Sequence, residues 1–146
     1  MGDVQIRIAD WNATPALRSI RQTVFIDEQQ VPPELEWDAE DVGATHFLMT
    51  LEQQPVGTAR LLANGRIGRV ALLVPARGKG LGHVLMRAVM AHAQQTGMTC
   101  LTLSAQTHAL EFYRQLGFET CSDTYLDAGI PHQDMYWKTA DTQADN

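Results

Sequence analysis

The feature that most restricts how this chain can fold is residues 66–89, RIGRVALLVPARGKGLGHVLMRAV. Arg66 to Val74 carries the apolar, β-branched composition of a strand. Leu81, Val84, Leu85, Ala88 and Val89 recur on one face of a helix. Between them lie Gly78, Gly80 and Gly82, with Arg77 and Lys79 interleaved. A strand feeding a helix through so short a loop calls for a sheet with helices packed on it, which excludes all-helical and all-β folds. The helix start leaves backbone N–H groups unpaired and carries partial positive charge. Glycines let the backbone take unusual angles and let a ligand approach closely. Together with the two cations, such an end suits a diphosphate.

The rest of the chain extends this unit. Val4, Ile6 and Ile8 alternate with polar residues, as in a half-buried strand. Thr14-Pro15 resembles a helix start, and Leu17, Ile20, Val24 and Phe25 extend that helix to about Glu28, before Pro32-Pro33 breaks it. Residues 45–51 and 56–63 read as strands around a Gln-Pro turn, and Asn64-Gly65 as a hairpin turn into the strand at 66–74. Gly97 suits the end of the glycine-loop helix. Residues 99–105 read as a central strand buried on both faces. Residues 108–117 form a short helix closed by Gly117, and 118–122 and 134–138 the last strands. The order β-α, then β-β-β-α-β-α-β-β, predicts an α/β fold with a mixed sheet flanked by helices.

At 146 residues the expectation is one domain over 1–139, with a flexible tail at 140–146. The net charge of -6 argues against nucleic acid and anionic membrane as partners. No apolar run approaches a membrane span and no leader opens the chain, so the expected location is the cytoplasm. Cys100 and Cys121 lie in strand-like contexts and read as buried, reduced thiols.

Two nucleotide motifs do not fit the loop. A P-loop needs Gly-Lys-Ser/Thr, but Gly80 is followed by Leu81 and Gly82. A dinucleotide fingerprint would place its third glycine at His83 and would occupy the first strand–helix turn. Arg77-x-x-Gly80-x-Gly82 instead resembles the pyrophosphate signature of the GNAT acyltransferase superfamily. Some thirty residues on, Ala109, Tyr113 and Gly117-Phe118 resemble its second signature. Within the superfamily, VFIDEQQVP and GIPHQDM are similar to the small bacterial ElaA/YjcF-like group.

The resemblance implies two parallel strands that splay apart and hold acetyl-CoA between them. It implies that the diphosphate meets Gly78, Gly80, Leu81 and Gly82, with Arg77 and Lys79 beside it, and that the pantetheine arm runs along Leu72 and Leu73. It gives Val70 the N–H that receives the thioester oxygen, and Tyr113 the role of general acid to the leaving thiolate. Gln106 stands where the superfamily often has Asn, and Arg66 where some members carry a glutamate base.

The base must therefore come from elsewhere, or a chain of water must do its work. No Lys or Arg occurs between Arg21 and Arg60, while eight carboxylates do, which suggests an acidic rim drawing a cationic amine. Glu28 is the first choice within it, with Asp38 and Asp41 behind. His132 is the other candidate, by its ordinary pKa. His46, His83, His92 and His108 show no ligand spacing, so no metal is expected. The expected activity is transfer of acetyl from acetyl-CoA to a primary amine by direct attack, with a homodimer left open. The alternatives are a non-catalytic acyl-CoA-binding module and transfer of a longer acyl group.

Overall fold

Alternation on β2 (Thr45–Leu51) divides the core in two. Leu48 joins Trp11, Leu17, Ile20, Val24 and Ala71 on one face, while Phe47 and Met49 join Leu85, Met86, Val89, Leu101 and Leu103 on the other. The first face is covered by α1 (Pro15–Arg21) and the second by α3 (Leu81–Gln95). This computed structural model describes residues 2–139, so the expected tail at 140–146 lies outside the described residues. The sheet runs β1-β2-β3-β4-β5-β8-β6, with β1 at Val4–Ala9, β3 at Gln54–Leu61, β4 at Arg66–Leu72, β5 at Cys100–Gln106, β6 at Glu119–Thr120 and β8 at Ile130–Lys138. β7 (Tyr125–Asp127) pairs with β8 off this path. β4 and β5 are parallel, and the other pairs are antiparallel.

Several local expectations need correction. The β2–β3 turn is Glu52-Gln53, both at positive φ (52° and 67°), rather than Gln-Pro. Pro55 sits early in β3, where a missing N–H is tolerated. The first helix reaches Glu28 as its apolar spacing predicts, but over Gln22–Glu28 it winds as a π-helix. Gly97 does close α3: at φ 93° it lets Met98 N–H reach the Ala93 carbonyl at 3.0 Å. Cys100 and Cys121 are exposed, not buried, because one opens β5 and the other follows the two-residue β6.

The parallel pair opens after a short contact. Arg66↔Thr102 and Ile67↔Leu103 are its registered partners. On the far side of β4, Arg60 pairs with Gly68 and Thr58 with Ala71, so Arg69 and Val70 together face Ala59. Arg69 takes φ 52°. Such a bulge bends its strand and increases local twist, and it lies where β4 leaves β5. For the same reason β5 is not buried on both faces. Leu101, Leu103 and Ala105 are buried, while Thr102, Ser104 and Gln106 are only partly buried, the last two lining the gap.

Candidate active site between the parallel strands

The glycine loop is built from two kinds of glycine. Gly78 and Gly80 take φ 73° and 78°, and a Cβ on either would meet no atom within 4 Å. They serve the backbone angle and face open space. Gly82 differs: a Cβ there would stand 3.0 Å from Cε1 of Phe112. It lets α3 pack closely on α4 (Leu110–Arg114). The loop ends at the start of a 15-residue helix with no side-chain cap and no acidic residue in its first turn. Its first N–H groups are therefore left to solvent or a ligand. Lys79 is exposed, and Leu81 offers only backbone because its side chain is buried. Arg77 is held, with Nε donating to the Leu72 carbonyl at 2.9 Å and Nη2 to Glu28 Oε1 at 2.6 Å. Leu73 N–H donates to the Val56 carbonyl at 2.7 Å.

The gap between the strands is a cavity of about 390 Å³. Ile67, Gly68, Arg69 and Val70 line its β4 side, and Leu103, Ser104 and Gln106 its β5 side. Tyr113, His132, Phe25 and Gln29 complete much of the wall. Gln106 is fixed: its Nε2 donates to Gln29 Oε1 at 2.8 Å, and its Oε1 accepts from His108 Nε2 at 2.7 Å. The Tyr113 ring meets Phe112 and Phe118 edge-on, at 4.9 and 6.2 Å between centroids. Burial pushes its phenol up to about 12, so it is protonated at neutral pH.

The acidic stretch does not form the expected rim. Glu28 is absent from the cavity wall and is turned to the glycine loop by Arg77. Glu36, Asp38 and Asp41 interlock with Arg21, Arg60 and Arg69. Arg21 Nε meets Glu36 Oε2 at 2.7 Å and its Nη1 meets Asp41 Oδ1 at 2.8 Å; Arg60 Nη1 lies 2.8 Å from Asp38 Oδ1 and 3.0 Å from Asp41 Oδ1. Arg69 meets both Glu36 and Asp38 at 3.2 Å. The cations were invisible to a local count of charge because Arg21, Arg60 and Arg69 flank the stretch or come from β3 and β4.

Burial drives both buried carboxyls upward in pKa, but the outcomes differ. Arg21 and Arg60 outweigh burial at Asp41 and hold it below the ordinary aspartate value, whereas burial prevails at Glu36 over Arg69 and Arg21. Breaking a buried ion network by removing one partner costs about 3–5 kcal/mol. Asp41→Asn is therefore expected to destabilise the fold by that order in urea unfolding. Glu36→Gln is expected to cost clearly less, because its environment already disfavours the charge.

His132 is buried, and its Nδ1 donates to the Ile130 carbonyl at 2.7 Å, since a carbonyl can only accept. In the neutral ring that assigns the remaining lone pair to Nε2. The ring stacks on Tyr125, 6.1 Å between centroids. Sequence reasoning missed a polar chain beside it. The Tyr125 hydroxyl donates to Asp134 Oδ1 at 2.6 Å and hydrogen-bonds to Ser104 Oγ, and Arg66 Nη2 approaches Asp134 Oδ1 at 3.4 Å. The register holds the signal: Ser104↔Asp134 and Gln106↔His132 are partners across β5 and β8. Tyr125 sits on β7, a three-residue strand too short for alternation to reveal.

The comparisons with known proteins agree with this geometry. A model for the acetyltransferase (GNAT) domain matches residues 13–139. The uncharacterized N-acetyltransferase YjcF of Bacillus subtilis is 35% identical over 120 residues, 80% of this chain and 86% of that protein. An acyl-CoA N-acyltransferase from Pseudomonas aeruginosa superposes with a TM-score of 0.82 at 31% identity, over 92% of this chain and 99% of that one. ElaA of Escherichia coli superposes at 0.83 with 25% identity, over 93% and 100% of the two chains.

Proposed function

The chain belongs to the GNAT acetyltransferase family and is an acyltransferase drawing on an acyl-CoA, and from that premise we propose that it moves acetyl from acetyl-CoA to the primary amine of a small molecule or peptide by direct attack. The observation that carries this reading is the meeting, around one cavity, of a bulged strand and a protonated phenol, next to an uncapped helix start.

In this reading the N–H groups from Gly78 to Gly82, with Arg77 and Lys79, hold the diphosphate. The pantetheine arm runs along β4 at Leu72 as an added strand would, Leu73 lending no free backbone group because Val56 and Ala76 take both of its own, and Gln106 positions the arm from the β5 side. The bulge turns Val70 N–H toward the thioester oxygen, where it stabilises the oxyanion as the amine attacks. Tyr113 then gives its proton to the departing sulfur. The cavity wall mixes Arg66 and Arg69 with Glu36 and Glu40, so it supports no preference for strongly cationic acceptors. His132, with Nε2 as acceptor, is one candidate for the base.

Thiol release from acetyl-CoA across a panel of amines and alcohols tests the proposal. Release with amines and none with alcohols is expected; release with no acceptor overturns it.

Glu28 acquires a different part from the one its sequence position suggested. It pairs with Arg77 at 2.6 Å, with the two side chains 35% and 43% exposed. A carboxylate there competes with the diphosphate for Arg77. Glu28→Gln is expected to tighten acetyl-CoA by about two- to fivefold, the range of an exposed ion pair worth under about 1 kcal/mol. The acceptor KM should stay unchanged. Calorimetry at two salt concentrations checks this, with the gain shrinking at the higher one.

A further inference from the structure

We infer that the acceptor's proton leaves the cavity along a side-chain relay from Ser104 through Tyr125 to Asp134, an inference that rests on the acyl-transfer reading above. The three groups come from β5, β7 and β8. Ser104 lines the cavity; Tyr125 and Asp134 do not, and stand behind it.

The direction of the chain follows from what each atom can do. A carboxylate only accepts, so the Tyr125 O–H donates to Asp134 at 2.6 Å. The Tyr125 oxygen is then an acceptor, and Ser104 must donate to it. Both bridging protons thus point away from the cavity, and Ser104 Oγ keeps its acceptor capacity toward it. Ser104 lies one residue past Leu103, a registered partner of β4, where the strands part. Burial, with the hydrogen bond to Asp134 adding to it, raises the Tyr125 phenol, so this link stays protonated and able to donate. The Asp134 side chain is 37% exposed, which opens the far end to solvent.

The step balances. The amine gives a proton to Ser104 Oγ as Ser104 gives its own to Tyr125 and Tyr125 gives its own to Asp134. The freed lone pair on nitrogen forms the C–N bond. The C–S bond breaks with its electrons on sulfur, which takes a proton from Tyr113. The nitrogen, now bonded to carbon, gives its second proton to Tyr113 and so restores the phenol, while Asp134 returns the first proton to solvent, so that ammonium and thioester become amide, thiol and one released proton. Ser104 would touch the substrate; Tyr125 and Asp134 act through it, as positioning residues. His132, stacked on Tyr125, is the rival acceptor.

Two amines separate these roles. Benzylamine is an ammonium ion at neutral pH and must lose a proton before attack; methoxyamine is already neutral. In the full chain with acetyl-CoA, Asp134→Asn and Tyr125→Phe are expected to lower kcat/KM for benzylamine by about 10²-fold or more, the range of lost proton transfer. For methoxyamine the loss is expected to stay within about threefold. Equal losses for both amines would reduce the chain to a structural brace and overturn the relay. So would no loss at all, or a split produced by His132→Gln and not by Asp134→Asn. A wild-type protein that binds acetyl-CoA in calorimetry yet releases thiol with neither amine would overturn the acyl-transfer reading itself, and the relay with it.

Discussion

Tyr113→Phe is expected to bind acetyl-CoA as well as the wild type does and to turn over about 10²–10⁴-fold more slowly, the loss typical of a missing general acid. The substitution is clean because the ring contacts to Phe112 and Phe118 are edge-on carbon contacts that phenylalanine preserves. Burial alone acts on the hydroxyl, with no hydrogen bond contributing, so its removal leaves no partner stranded. A phenol at about 12 looks too weak an acid for a thiolate whose ordinary pKa is about 8.5. The same desolvation, however, acts on any anion formed beside it. It raises the thiol as it raises the phenol, and so narrows the gap at the moment of transfer. Single-turnover thiol release together with calorimetry checks the outcome. A kcat within a few-fold of wild type would make Tyr113 a packing aromatic.

Gly80→Glu is expected to abolish detectable acetyl-CoA binding while leaving a folded protein. At φ 78°, with open space where the Cβ would stand, a side chain at this position projects off the loop without striking the core. The left-handed backbone angle costs a non-glycine residue about 1–2 kcal/mol, which circular dichroism and urea unfolding will register as a modest loss. The carboxylate would then occupy the helix start proposed to hold the diphosphate, setting like charge against like. A folded variant with unchanged affinity would remove the diphosphate from this loop.

The fold was legible wherever a pattern repeats. Strands with period two and helices with period 3.6 announced the sheet and both faces, and the two signatures gave the family. What stayed hidden needed partners distant in sequence. The acidic stretch looked like a charged rim because Arg60 and Arg69, which neutralise it, arrive from β3 and β4. Gly82 looked like its two neighbours, yet Phe112, thirty residues on, is what requires it. The bulge at Arg69 left no mark in composition, since nothing in RIGRVALLV distinguishes a left-handed arginine from an extended one. The Ser104–Tyr125–Asp134 chain was unreadable until β5 and β8 were set in register.

The π-wound turn at Gln22–Glu28 bears on which length changes the chain can absorb. Its wider winding shows in Gln29 N–H reaching the Val24 carbonyl at 3.2 Å, five residues back. At its end stand Glu28, which grips Arg77, and Gln29, which grips Gln106. One residue corresponds to about 100° of rotation on an ordinary helix. Deleting a single residue here would let the segment relax to the commoner form and would swing both grips off their targets together, although neither side chain had been altered. Relatives of this protein that carry a shorter first helix would have to fasten the glycine loop and the fifth strand by other means.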